Sequence, residues 1–247
     1  MAISGDTAIV GAYFDEDGRG SAYVFTMNSA GGWEEKTKLA SSDGSSSYDE
    51  FGWSVAISGS TAIIGAPGDD ENHGSAYVFA MNNGGVWEQQ VKLTAGDDAT
   101  ISDYFGASVA ISGNTAIIGA DGENEIQGSA YVFTQDTTTE KWTQKAKLRS
   151  SDSAISDSFG WSVAISGNTS IIGADGNDDR KGFAYVFVLD SSTGSWKQQA
   201  ELTSSDSALD DHFGSSVAIS GNPAIVGAPF DEDNGASSGS AYVFPSF

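Results

Sequence analysis

The 247-residue chain contains no cysteine, which excludes disulfides, thiolate catalysis and cysteine-ligated zinc and leaves the redox compartment open. Basic residues are scarce: eleven lysines and arginines stand against 34 acidic residues, for a net charge of -23. A phosphate backbone or an anionic membrane surface would be repelled at long range, so nucleic acid is not expected as a partner. No apolar run approaches the roughly 20 residues of a membrane-spanning helix, and no membrane insertion is expected of this segment. The opening Met1-Ala2-Ile3-Ser4-Gly5 has neither a charged leader nor an apolar core and reads as carrying no signal peptide.

What the chain has instead is repetition. Ala-Ile-Ser-Gly starts at Ala2, Ala56, Ala110, Ala164 and Ala218, and a Phe-Gly pair precedes it at Phe51, Phe105, Phe159 and Phe213, each step being 54 residues. A fixed period of this size marks a stacked or radial architecture, in which no unit buries its apolar face without its neighbours. No linker composition interrupts the repeat. One continuous domain over 1–247 is therefore expected, with repeats at about 1–50, 51–104, 105–158, 159–212 and 213–247.

Each repeat holds four short segments rich in β-branched and aromatic residues, separated by Gly, Asn, Asp and Ser clusters, and none shows a sustained helical period. In the second repeat these are 51–57, 61–66, 75–79 and 87–93. The first would place Phe51, Trp53, Val55 and Ile57 on one face and small Ser54 and Ala56 on the other. Gly59 at the first central position favours a type II′ turn into the second. The fourth alternates, with Trp87, Gln89, Val91 and Leu93 on one face and Glu88, Gln90 and Lys92 on the other. Eight of the eleven basic residues fall in or just after these outer strands, where charge discourages sheet-to-sheet pairing.

Four antiparallel strands per repeat, small inside and charged outside, describe a blade. The fold class expected is all-β, a β-propeller of four-stranded antiparallel blades, with a two-sheet sandwich as the competitor. The segments add up to 19 strands, one short of a closed five-bladed ring. The ring reads as incomplete and the chain as part of a longer product, an authentic five-bladed body being the alternative.

At this level the chain resembles FG-GAP repeats, the units of the amino-terminal propeller of integrin alpha subunits and of many extracellular proteins of microbes and algae. Phe51-Gly52 opens the motif and Gly65-Ala66-Pro67 closes it, as do Phe213-Gly214 and Gly227-Ala228-Pro229. Other copies read Gly11-Ala12-Tyr13, Gly119-Ala120-Asp121 and Gly173-Ala174-Asp175, so the proline is not constant. The resemblance implies a non-catalytic extracellular or cell-surface module for adhesion or ligand binding, with a protein or glycan partner. The alternative is a structural or accessory domain of a larger secreted enzyme, without a ligand of its own.

The acids are placed unevenly. Fifteen fall between the second and third strands, and eleven more, among them Asp97 and Asp98, fall between repeats. In an up-and-down blade both loop types leave the same end, so most carboxylates should crowd one rim. Alternate ligands recur there: Asp15 and Asp17, Asp69 and Glu71, Glu123 and Glu125, Asp231 and Asp233, and the set Asp175, Asn177, Asp179. Such hard oxygen donors make calcium a candidate, while nothing makes a cofactor a requirement. Arg180 follows where a calcium loop wants Gly, and the calcium loop that the resemblance implies lies between strands one and two, here a two-residue turn. A solvated acidic rim is the plainer reading.

Tyr13, Phe14, Tyr48, Tyr104 and Phe230 are apolar anchors amid this charge. Asp49, Asp103, Asp157 and Asp211, two residues before each Phe-Gly, suit a structural turn in which the carboxylate accepts backbone N–H bonds. The only histidines, His73 and His212, lie in loops and give way to unrelated residues in other repeats. No Gly-x-Ser-x-Gly elbow, His-Glu-x-x-His helix or phosphate-cradling loop occurs, and the repeats are nearly interchangeable, so no enzyme is expected.

Overall fold

A computed structural model describes residues 1–44, 46–96, 100–152, 154–233 and 235–247. It falls into two compact units, Met1–Gly113 and Asn114–Phe247. The first holds β1 (Ala2–Ser4), β2 (Thr7–Ala12), β3 (Ser21–Met27) and β4 (Trp33–Leu39) as one sheet, then β5 (Val55–Ser58), β6 (Thr61–Ala66), β7 (Ser75–Met81) and β8 (Trp87–Leu93) as another, and ends with β9 (Ser108–Ser112). The second holds β10 (Thr115–Ala120), β11 (Ser129–Gln135) and β12 (Trp142–Leu148). These are followed by β13 (Phe159–Ser166), β14 (Thr169–Ala174), β15 (Phe183–Asp190) and β16 (Ser195–Leu202), and by β17 (Ser216–Ile219), β18 (Ala224–Ala228) and β19 (Ser240–Phe244). The described residues thus form 19 strands, the number read from the repeat. Every sheet is antiparallel and up-and-down, the blade topology of a β-propeller, and the expected fold class stands.

The first hairpin of each repeat follows its glycine. Ser58 pairs with Thr61 across Gly59-Ser60, and Gly59 has φ +58° while Ser60 stays out of the left-handed region, as a type II′ turn requires. The Phe-Gly and Gly-Ala motifs are explained by one contact. Gly65 N–H donates to Ser54 and its carbonyl accepts from Gly52 N–H. A Cβ on Gly65 would lie 2.0 Å from the carbonyl oxygen of Gly106, in the next Phe-Gly pair. Only glycine lets the two backbones approach so closely.

The phenylalanine of each pair is fully buried and packs on strand three of its own repeat. Phe51 lies 5.4 Å from Tyr77 and 6.0 Å from Phe79, and Phe159 and Phe213 repeat the arrangement with Tyr185 and Phe187, and with Tyr242 and Phe244. Burying each ring contributes about 1.5–3 kcal/mol, with roughly another 1 from ring geometry.

Two readings of local structure change. The segment at 51–57 is not one regular strand: Phe51 makes an isolated parallel bridge to Gly20, Gly52 takes φ +94°, and pairing begins at Val55. Trp53 and its counterpart Trp161 consequently leave the core, each 48% exposed. The fourth strand does not alternate cleanly either. Phe79 faces Gln89 but Val78 faces Val91, so Gln90 is an extra residue in a bulge, and the same shift occurs in β4, β12 and β16. A one-residue bulge flips the faces that follow it. Val91 and Leu93 therefore do not share a face with Trp87, and Lys92 turns to the side of Tyr77, which it opposes.

Candidate functional site

The flipped lysine builds a cluster at the loop end of each of the first three repeats. Lys92 Nζ lies 2.6 Å from Asp69 and 2.7 Å from Asp43, and 5.4 Å from the centre of the Tyr77 ring. The Tyr77 hydroxyl lies 3.2 Å from Asp69 and 3.1 Å from Asp43. In the first repeat Lys38 stands 2.9 Å from Asp15, which also accepts from Tyr23 OH at 2.8 Å. In the third, Lys147 at 2.6 Å and Arg149 at 2.5 Å share Glu123, which accepts from Tyr131 OH at 2.8 Å.

The electrostatics follow from this pairing. The hydrogen bond from Lys38, reinforced by Tyr23, lowers Asp15 to about 2. Burial alone would raise Asp43 and Glu123, but Lys92 and Lys147 override it and both carboxylates are held below their ordinary range. Burial opposes the Lys92 charge too, yet the bonds to Asp43 and Asp69 leave it raised. Burial and the Asp69 charge push the Tyr77 hydroxyl well above its usual value.

The last two repeats depart from this pattern. In the fourth, Glu201 opposes Tyr185 where the others have lysine, and Asn177 takes the place of the acid. Asn177 Nδ2 donates to Tyr185 OH at 2.8 Å, and that hydroxyl donates to Asp152 at 3.0 Å. In the fifth, Tyr242 OH lies 2.5 Å from Asp231 and 2.7 Å from Asp206. Asp206, Asp231 and Asp233 each bring an oxygen within 4.8 Å of the others, the only such group of three among the described residues.

The loop that carries the first acid is a single left-handed turn: Asp70, Glu71 and Asn72 have φ +51°, +58° and +66°, and Asn124 to Ile126 and Asp178 to Arg180 do the same. Left-handed backbone costs a non-glycine residue about 1–2 kcal/mol. The turn aims its carbonyls at the next repeat. Tyr104 N–H donates to Asn72 and Phe105 N–H to His73, as Ser158 and Phe159 do to Ile126 and Gln127. The residues flanking each turn aspartate are left-handed as well, Tyr48 and Glu50 at +74° and +60°, and Asp210 and His212 at +67° and +56°.

This geometry separates the alternate acids. Asp69 and Glu123 are buried against tyrosine and lysine, Asn177 is buried against Tyr185, and Asp15 is half-buried, whereas Asp17, Glu71, Glu125 and Asp179 are exposed. An ammonium group occupies the place a cation would take in the first three repeats, so that donor set does not fit calcium there. Asp175 is turned elsewhere, 3.3 Å from His212 and from Ser215, and is raised by burial. Asp121, its counterpart in the third repeat, is raised to about 6 by burial, and its Oδ1 has no hydrogen-bond partner. Asp97 and Asp98 lie outside the described residues.

Asp49, Asp103, Asp157 and Asp211 are buried and accept the backbone N–H three residues earlier, at 2.5–2.7 Å, from Ser46, Thr100, Ala154 and Ala208. Burial raises Asp49 and Asp157. Among the aromatic anchors, Phe14 and Tyr48 are well exposed, Phe230 half-exposed and Tyr104 38% exposed. Tyr13 sits 4.6 Å from Phe14 and 4.7 Å from Trp53, and Phe230 lies 5.1 Å from His212.

Clefts open between these loops. One of about 760 Å³ in the first unit is lined by Asp43, Tyr48, Asp49, Asp70, Glu71 and Lys92. Another of about 1010 Å³ in the second unit joins Asp152, Asp178 and Asp179 to Ile155, Trp161 and Phe183. Trp161 was not among the residues singled out from the sequence, and the lysines were read there as edge charge, not as partners of the loop acids. The paired change at Asn177 and Glu201 is the signal that could have linked the lysine to the loop acid, since both members switch in one repeat.

The FG-GAP repeat family model matches residues 1–25, 33–79, 87–133, 142–187 and 196–244, and the chain belongs to that family. The unmatched gaps fall at the hairpins between the third and fourth strands. A comparison with curated proteins found no match. Among the described residues no helix is long and apolar enough to cross a membrane.

Proposed function

We propose that the protein is a non-catalytic binding propeller of extracellular or cell-surface type, which takes a protein or glycan ligand on the acidic loop end of its sheets. The observation that carries this reading is the cleft of about 1010 Å³ in the second unit, where Trp161, 48% exposed, and Ile155, 62% exposed, stand among carboxylates. Exposed aromatic and aliphatic anchors within a charged rim are the usual energetic centre of an interface. Strained backbone around the cleft supports it as well, because left-handed non-glycine residues cluster at ligand clamps. Family membership favours an adhesion or recognition role over a catalytic one. Calcium belongs to this proposal only at the last repeat, where three carboxylates converge without a lysine.

The test is binding of the full chain to arrayed glycans and arrayed extracellular proteins, beside a Trp161→Ala, Ile155→Ser double variant of matched thermal stability. Specific capture that the double variant loses is expected. Capture of nothing, or equal capture by the variant, would leave the accessory-domain reading in its place.

A further inference from the structure

Two observations meet where β13 turns into β14. The first is a motif: Asn168-Thr169-Ser170 is the only Asn-x-Ser or Asn-x-Thr sequence in the chain. Asn168 lies in the two-residue turn Gly167-Asn168, is exposed, and gives its side-chain amide only a 3.2 Å contact with exposed Ser191. The second is a hydroxyl that the fold does not use. Ser170 is fully buried, and its Oγ has no hydrogen-bond partner among the described residues. Ser170 opposes Phe187, and at the same register Ala8, Ala62, Ala116 and Ala224 oppose Phe25, Phe79, Phe133 and Phe244. A buried hydroxyl without a partner costs stability relative to that alanine methyl, so packing gives no reason for the serine. The other serine hydroxyls without a partner, Ser41, Ser75, Ser150 and Ser204, stand where at least two further repeats also have serine.

We propose that Asn168 is an N-glycosylation site, and that Ser170 serves the enzyme that modifies the chain and not the folded sheet. Asn-x-Ser is the acceptor pattern for a glycan on asparagine. Because Ser170 is buried once β14 pairs, the pattern is read on the chain before this repeat folds, which leaves the hydroxyl idle afterwards. In the transfer the Asn168 amide nitrogen attacks C1 of an oligosaccharide carried on a lipid pyrophosphate. An Nδ2–C1 bond forms, the bond from C1 to the pyrophosphate oxygen breaks, and the amide gives up one proton as the lipid pyrophosphate leaves. Asn114 occupies the same turn in the third repeat, but Ala116 stands where Ser170 does, so that turn is no acceptor. β14 runs from Thr169 to Ala174, just before Asp175, so the glycan leaves the sheet at the end opposite its acidic loop and keeps the cleft beside Trp161 open. The proposal rests on the extracellular part of the function proposed above, and on neither its ligand nor its cleft.

The test is peptide mapping of the protein recovered from its own cells and their medium, after release of glycans by peptide N-glycosidase in heavy-oxygen water. A glycan at Asn168 is expected, read as conversion of Asn168 to heavy-oxygen aspartate, with Asn114 unchanged. Protein found outside the cell with a bare Asn168 would overturn this proposal alone. Protein found only inside the cell would overturn it together with the extracellular reading. In parallel, the full chain is carried into microsomes behind a cleavable signal, and only the protease-protected fraction is scored. Asn168→Gln and Ser170→Ala should each lose the modification and Ser170→Thr should keep it. Modification that survives Ser170→Ala would overturn the proposal. Ser170→Ala made without glycan should melt above the unmodified parent, since it matches the other repeats. A lower melting temperature would assign the hydroxyl to the fold and overturn the proposal as well.

Discussion

The second and fourth repeats carry the same sheet, the same bulge and the same buried tyrosine, yet solve the surrounding charge in opposite ways. In the second, a lysine ammonium joins two carboxylates around Tyr77. In the fourth, the lysine has become Glu201 and the acid Asn177, and the tyrosine is held by an amide and one carboxylate. What the scaffold requires is therefore compensation at the tyrosine hydroxyl, not a particular charge. Both arrangements give the hydroxyl of a buried tyrosine its hydrogen-bond partners, which is what burial of a polar group demands.

The shared frame should matter most. Gly65→Ala and Gly173→Ala place a methyl group 2.0 Å from a backbone carbonyl of the following repeat, Gly106 or Gly214, and each should cost about 3 kcal/mol or more in urea unfolding. Equal losses would confirm that the two repeats differ only in their polar clusters. A tolerated substitution at either would mean that the junctions differ too.

Position 121 sharpens the comparison through pH. The second repeat has Pro67 there and the third has Asp121, whose carboxyl burial raises from 3.8 to about 6. Because the folded value is the higher one, its favourable contribution is full below pH 3.8 and is lost as pH rises through about 6. Asp121→Asn should stabilise by up to about 3 kcal/mol at pH 7.5 and by little at pH 3.5, read as two unfolding curves. A gain independent of pH would point to packing instead.

The polar clusters themselves come next. Lys92→Met should cost about 1–2 kcal/mol by stranding Asp43 and Asp69, and Asn177→Asp should cost about the same by adding a carboxylate next to Tyr185. Glu201→Lys should rescue Asn177→Asp, converting the fourth repeat into the second. Additive effects in that double-mutant cycle would show that the two positions do not interact. The smallest effect expected is that of calcium. Matched for ionic strength, it should raise the melting temperature by about 2 °C or less, and Asp233→Asn should remove the rise.

Much of this fold was legible because a 54-residue period repeats each signal several times. The glycine turns, the strand count and the Phe-Gly motif all sit in the sequence as spacing. The cluster was hidden for a specific reason. Trp87, Gln89, Val91 and Leu93 follow one another at intervals of two, which reads as one face of a strand, and the bulge at Gln90 adds a residue that no composition announces. Lys92 therefore read as a solvated edge charge when it is a counter-ion. Trp53 was misplaced similarly, because Phe51-Gly52 continues the alternation on paper while the left-handed Gly52 breaks it in space. The loop acids read as alternate ligands because the left-handed turn that separates them has no marker in residue type.

The hairpin between the third and fourth strands lies at the opposite end of each sheet from the acidic loops, and its turn of Asn28–Gly32 or Asn82–Val86 is closed mainly by its own asparagine. Asp136–Lys141 accommodates one residue more. These turns are natural points for a tag, a tether or a foreign loop. A repeat tethered through its hairpin would present its loop carboxylates away from the support, and one chain could carry several copies of a graft, one per hairpin.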